Sequence, residues 1–423
     1  MGASDLSTAP QTAAAEWRRH WPLVAAATSG MSLAALSTSA FGVMVVPIEE
    51  DFGWSRADIS TGPLIVSVMT ILFGTVLGAL VDKVGPRLIA LGNVTLICAA
   101  TAMLSQIGPQ LWQWWAVWVV IGLCSAILPT LCVMPTTRAF NKGRGLAMAI
   151  VLSGSGISSF VVPNLGNWLV SQYGWQQSYL WLALIWYAVV FTLMLLFLRL
   201  PAEEGAASRD KQHAPEKQAA GVPGLTAREA FTSAAFYKLA SAAVIANFVG
   251  IAMIMNLIPI LRWNSLSPAT AAQVASLVGI FTIVGRLIGG GFIDWVDARF
   301  IAAGTSAMLF MLPAMLLLFP GSVAAAIVGI VTVGLMGGAQ SPCIAYLASR
   351  HLGQRAYATV YATIMAAMGM GVGLGPLFAN LVYDMTQSYT PVFWTALPMF
   401  AIGAFLFLSL GPYPDFSKHE SAA

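Results

Sequence analysis

The sequence predicts an all-α membrane protein of twelve transmembrane helices, arranged as two pseudo-symmetric six-helix bundles. Three observations predict it. Hydrophobic residues make up 58% of the chain and charged residues only 9%, with a mean hydropathy of +0.78, whereas a soluble domain carries roughly 25% charged residues. The apolar residues fall into runs of the length, about 20 residues, that a helix needs to cross a bilayer. Finally, Gly78-x-x-x-Asp82-x-x-Gly85-x-Arg87 returns as Gly290-x-x-x-Asp294-x-x-Asp297-x-Arg299 at an offset of 212 residues, weakened only at its inner Gly. That offset makes the chain two related halves.

Taken in order, the spans run over residues 22–46, 59–81, 88–107, 112–136, 145–170, 178–200, 236–260, 271–293, 300–319, 322–348, 357–383 and 391–411. Spans nine and ten are parted only by Pro320-Gly321, but together they are far too long for one crossing, and that dipeptide is a turn signal. The first run is too long for the apolar core of a signal peptide and is expected to stay as a span. The corresponding division of the chain is an N-terminal tail 1–21, a bundle 22–200, a polar linker 201–235, a second bundle 236–411 and a tail 412–423. The halves match elsewhere: Arg138 and Arg144 precede span five as Arg350 and Arg355 precede span eleven, and Pro163 and Pro376 lie at comparable depth.

The side on which Lys and Arg accumulate is cytoplasmic. Seventeen of them fall on one side, whereas only Arg56 and Arg262 fall on the other, with Glu49, Glu50, Asp51, Asp58 and Asp384. Both termini and both signature loops are thus expected in the cytoplasm, with the chain a monomer in the inner membrane. The four cysteines sit within apolar runs and show no disulfide or metal-ligand spacing. No cofactor is expected, and nothing in the charge distribution implies nucleic acid. An enzyme would need paired carboxylates or a nucleophile with its base, yet His20, His213, His351 and His419 all fall in polar segments or tails. No phosphate-binding loop is present. The tryptophans Trp112, Trp114, Trp115, Trp118, Trp175, Trp181 and Trp186 gather toward the outer boundary, where an interfacial belt accounts for them.

Arg286 is the ionisable side chain that lies clearly inside a span. It precedes Asp294 by eight residues, about 12 Å along a helix, too deep for easy snorkelling. A charge there costs on the order of 3 kcal/mol or more and faces a cavity or a partner. With no acid at comparable depth, that partner is expected to be an anionic substrate; the alternative is a structural Arg bound to backbone carbonyls. Asn247, Asn256, Gln340, Tyr346 and Ser125 are weaker candidates to line the same cavity, since most polar residues in a membrane bundle form interhelical hydrogen bonds.

The first copy of the loop resembles the signature of the major facilitator superfamily, and the resemblance runs along the whole chain. It implies the major facilitator fold, with the substrate site between the halves near the midplane. It also implies a gate made by Gly78, Asp82, Gly85 and Arg87, in which Gly78 allows close helix approach, Asp82 lies near the N-terminus of span eleven and Arg87 pairs locally, with Gly290, Asp294 and Arg299 acting likewise against span five. Phe52-Gly53-Trp54-Ser55-Arg56, Lys142-Gly143-Arg144-Gly145-Leu146-Ala147, Tyr173-Gly174-Trp175 and Tyr346-Leu347-Ala348-Ser349-Arg350 resemble the bacterial branch related to monocarboxylate porters and oxalate/formate antiporters. In those families an Arg in span eight binds the carboxylate, which falls on Arg286. The sequence departs from them at Val43, Thr282, Gln340, Pro342 and Trp118, where relatives carry charged residues.

The expected function is secondary transport of a small organic anion, a mono- or aromatic carboxylate, with protons as the candidate coupling ion. An exporter of drugs or metabolites is the alternative. The topology is checked by cysteines at Glu50 and Gln387, which should react with an impermeant thiol reagent added outside intact cells, while one at Gln212 should not.

Overall fold

The computed structural model describes residues 13–84, 86–140, 143–198, 224–292, 296–353 and 355–414. Among these, eleven helical stretches are long and apolar enough to cross a membrane. One of them, Arg144–Phe197, has 54 residues, and a straight helix of that length would be about 80 Å long. It breaks at Gly174, whose φ of 78° and ψ of 170° are not helical and suit a residue without a Cβ. Its two ends lie together: Gly143 N–H donates to Glu16 over 3.0 Å, and Phe197 meets the Trp21 ring at 6.4 Å, both on the first helix. The chain therefore reverses at Gly174, residues 144–173 and 175–197 are separate crossings, and the total is twelve.

The remaining spans start and stop where local chemistry dictates. Span one is two helices, Ala13–Ala34 and Leu36–Phe52, the second ending on Gly53 in the left-handed conformation. Span two, Arg56–Val84, opens with Ser55 and Asp58 in a reciprocal cap: Asp58 N–H donates to the Ser55 hydroxyl (3.0 Å) and Ser55 N–H to the Asp58 carboxylate (3.3 Å). Spans three and four are Pro86–Met103 and Leu111–Ala139. Span seven is broken at Asn256 into Ala234–Met255 and Leu257–Trp263; span eight is Pro268–Phe292. Span nine is Ala298–Met308 with Met311–Leu318, and spans ten to twelve are Val323–Leu352, Tyr357–Thr386 and Thr390–Leu408. Within the segment expected to be linker, residues 201–223 lie outside the described residues. Beyond them Ala227–Thr232 forms a short helix with a capping box from Thr226 and Glu229, docked by a Leu225 N–H to Leu352 carbonyl bond of 3.2 Å.

Each half packs around its own apolar core, with Met255 and Val43 reaching across into the core of the opposite half. The halves meet along span five against span eight and span two against span eleven, and glycine sets both crossings. A Cβ on Gly156 would lie 2.8 Å from the Gly279 carbonyl oxygen, and one on Gly373 would lie 2.9 Å from the Ser67 side chain. Small residues are what let membrane helices approach this closely.

The belt expected of the tryptophans holds for only some of them. Trp112, Trp115 and Trp181 are exposed, but Trp114, Trp118, Trp175 and Trp186 are buried in the first half's core. Trp114 and Trp118 rings pack 5.3 Å apart, and the Trp114 and Trp186 N–H groups donate to the Ile59 carbonyl and the Ser32 hydroxyl. Burial makes all four core residues, and the N–H groups of Trp114, Trp175 and Trp186 are satisfied there.

Crowding at the crossing yields a stability test. Gly156→Ala should destabilise the detergent-purified protein by about 1 to 3 kcal/mol, the usual cost of overpacking. Gly92→Ala, where an added Cβ meets no atom within 4 Å, should be neutral or slightly stabilising in the same thermal unfolding assay.

Candidate functional site

Between the halves lies a cavity of about 380 Å³, walled by spans one, five, seven, eight and eleven. Most of its wall is apolar, including Met255, Ile258 and Val278. Polar groups come from hydroxyls: Thr38 and Ser39 on span one, Ser155 and Ser159 on span five, and Thr282 on span eight. Several are already engaged. Thr38 donates to the Ala35 carbonyl over 3.0 Å, Ser155 to the Leu152 carbonyl over 3.0 Å, and Ser39 and Ser159 share a 3.4 Å bond.

Arg286 stands one helical turn beyond Thr282, toward the basic end of the molecule. Its guanidinium crosses to the other half and donates to the Leu152 carbonyl. That is the same oxygen that accepts the Ser155 hydroxyl, so the cation is joined to the cavity wall through one shared acceptor. Among the described residues no carboxylate forms an ion pair with it. Arg286 is itself not among the residues that line the cavity, and it holds a backbone carbonyl, the contact expected of a structural Arg.

Nor do the other expected site residues form part of this wall. Asn247 donates to the Met368 carbonyl over 2.7 Å and ties span seven to span eleven. Asn256, fully buried at the break in span seven, donates to the Ala252 carbonyl over 2.9 Å. Gln340 donates to the Ser306 hydroxyl over 2.8 Å and joins span ten to span nine. Tyr346 packs its ring 6.4 Å from Tyr413, and Ser125 is half-buried within span four. The hydroxyls that do line the cavity were missed because Ser and Thr occur in every span and usually bond to their own helix. Which of them face inward depends on helix rotation, and the pairing of Ser155 with Ser159 at a spacing of four on span five was the available signal.

Of the gating residues, Gly85 and Asp294 lie outside the described residues, as do the side chain of Asp82 and the surroundings of Gly78 and Gly290. Arg87 donates to the Leu195 carbonyl over 2.9 Å, a cation at the C-terminal end of span six. The second copy differs from expectation. Arg299 forms an ion pair with Asp297 at 2.9 Å and lies 4.7 Å over the Phe300 ring, all within its own half rather than against span five. Asp297, which stands where the first copy has Gly85, caps span nine by accepting the Arg299 N–H over 3.0 Å. It also accepts the Tyr413 hydroxyl over 2.7 Å, and that hydroxyl in turn accepts the Ala298 N–H over 3.0 Å.

Comparison with known proteins agrees with this architecture. The Major Facilitator Superfamily profile matches residues 27–366. The chain belongs to the major facilitator superfamily. It is 27% identical over 415 residues to monocarboxylate transporter 13 of Bos taurus, covering 95% of this chain and 91% of that protein. Against monocarboxylate transporter 13 of Rattus norvegicus it is 26% identical, covering 92% and 87%. Among solved structures it resembles a D-xylose–proton symporter with a TM-score of 0.73 at 13% identity, covering 93% of this chain and 98% of the other. A bacterial homologue of the human lysosomal transporter Spinster, in an inward-facing and unoccupied conformation, gives 0.65 at 17% identity, with the same coverage. This superfamily protein is a membrane transporter and not an enzyme.

The Tyr413 contact is testable. Burial, followed by its bond to Asp297, pushes the Tyr413 hydroxyl up to about 12, so it keeps its proton and donates at every pH where the protein is handled. A raised value stabilises the fold fully below the ordinary tyrosine range and loses that contribution only as pH rises through about 12. Tyr413→Phe should therefore lower thermal stability by about 1 kcal/mol, equally at pH 6 and pH 8.

Proposed function

We propose that this protein is a secondary carrier that moves a small organic anion, a mono- or aromatic carboxylate, across the inner membrane by alternating access. Its basic end and both termini lie in the cytoplasm, it works as a monomer, and any proton coupling travels with the anion or uses an acid at the membrane edge. The observation that carries this reading is Arg286, a guanidinium one helical turn from Thr282 of the interdomain cavity wall, whose described partner is a carbonyl shared with Ser155 and not a carboxylate. A charge at that depth is costly unless it finds an opposite charge, and two parallel N–H donors match a carboxylate. The largely apolar wall suits the hydrocarbon or aromatic body of such an anion, with the five hydroxyls available to orient it. The full-length likeness to monocarboxylate transporters supports the same substrate class.

On this reading an anion entering the cavity competes with the Leu152 carbonyl for Arg286. Gly78, Asp82, Gly85 and Arg87 serve as the cytoplasmic latch. Their second-half counterparts, Gly290, Asp294 and Arg299, contribute less, because Arg299 is held by Asp297. Export of drugs or metabolites is the second reading, favoured by the apolar wall.

Uptake into proteoliposomes of a panel of aliphatic and aromatic carboxylates, with and without a pH gradient, separates the two. Arg286→Lys should weaken apparent affinity markedly, because Lys presents a point charge on a different stem. Arg286→Ala should nearly abolish transport, losing roughly 1.5 to 3 kcal/mol of charge-assisted hydrogen bonding. A well-expressed Arg286→Ala protein that transports a carboxylate with unchanged affinity would sink the anion assignment.

A further inference from the structure

At the end remote from the basic loops, a polar cluster ties the two halves together. Arg56, the first residue of span two, is buried despite its charge. Its guanidinium donates to Glu49 at 2.8 Å and to the Tyr389 hydroxyl at 3.0 Å, and lies 3.8 Å from the centre of the Tyr383 ring. Asp384, at the end of span eleven, accepts the Arg56 N–H over 3.2 Å and the Ala57 N–H over 2.8 Å. It thereby places an anion on the positive N-terminus of span two. One turn deeper, the Asn380 amide donates to the Ser60 hydroxyl over 2.6 Å, while the Tyr389 hydroxyl donates to Asn380 over 3.2 Å.

We propose that this cluster is the outer gate of the carrier, which closes the cavity toward the outside and must part for loading from that side. Its wiring fits a contact made to open and close. The Arg56–Glu49 pair lies wholly in the first half, and the Tyr389–Asn380 bond lies wholly in the second. When the halves separate, the buried cation keeps its carboxylate and the amide keeps a partner. The bonds that break are those of Asp384, of Tyr389 to Arg56, and of Asn380 to Ser60, all of which water can replace at the membrane surface. The cluster also lies in the right place: Glu49 is seven residues beyond Gly42 of the cavity wall, roughly 10 Å along span one. The proposal does not depend on which solute is carried.

The test uses the full-length protein in cells or vesicles, with the four buried native cysteines replaced and a reporter cysteine at Ser39 in the cavity wall. Asp384→Asn removes the charge that holds span two, so reaction of the reporter with an impermeant maleimide added outside should rise on the order of tenfold, the factor for one lost charge-assisted contact. Separately, Ser60→Cys with Asn380→Cys, oxidised to a disulfide, should suppress outside labelling of the reporter, and reductant should restore it. The proposal is overturned if Asp384→Asn leaves outside labelling unchanged in well-expressed protein, or if the cross-linked protein labels as fast as the reduced one.

Discussion

The controlling constraint is that lipid offers the backbone no hydrogen-bond partners, so each N–H and C=O in a crossing must be satisfied within its own segment. Every described span is accordingly helical, and departures from helix are confined to places buried in protein or at the surface. Gly174 reverses the chain between spans five and six, while the break in span seven at Asn256 is fully buried and partly repaired by the Asn256 to Ala252 bond. Helices that satisfy themselves have little reason to associate in lipid, so close packing must supply it. Gly156, Gly279 and Gly373 therefore sit where the halves cross. Larger side chains there would hold the bundles apart and enlarge the cavity at the expense of the contact that defines it.

The same constraint shapes the chemistry of the cavity. Its hydroxyls are chemically cheap, because Ser and Thr can return a bond to their own helix when nothing else is bound, as Thr38 and Ser155 do. Arg286 has no such local option. It reaches instead for the Leu152 carbonyl, which already serves Ser155. A carbonyl relieves part of the desolvation of a guanidinium but supplies no countercharge. The cation is consequently tied to span five through the acceptor it shares with Ser155 of the cavity wall.

Much of the fold was legible because length and hydropathy act locally. All twelve spans can be read from apolar runs, and the depth of Arg286 follows from counting residues back to the second signature loop. Legibility failed where the answer depends on how a helix is rotated or on what lies across the molecule. Trp114 and Trp118 look like belt residues by composition, and only the packing of span four shows them facing inward. Asn247 and Gln340 are polar residues in membrane spans, as cavity residues would be, but their partners on spans eleven and nine use them as interhelical ties. Arg56 was visible as one of two basic residues on the acidic side. Its link to Asp384, 328 residues away, is not encoded in any local pattern.

The two signature loops show how a duplicated element can diverge once its surroundings differ. In the second copy Asp297 replaces the inner glycine, and a carboxylate at that point can do what glycine cannot: cap span nine, pair with Arg299 and accept the Tyr413 hydroxyl. Each bond holds the loop to its own half. Arg299 so engaged is less free to reach span five, whereas the described bond of Arg87 in the first copy runs to the end of span six. Tyr413 also contacts Arg350 and His351, whose span ends in the same region, through its ring. The replacement of one glycine thus makes the second signature loop a fastening for the C-terminal end of span twelve. That accounts for why the second copy is recognisable by its offset but weak as a motif.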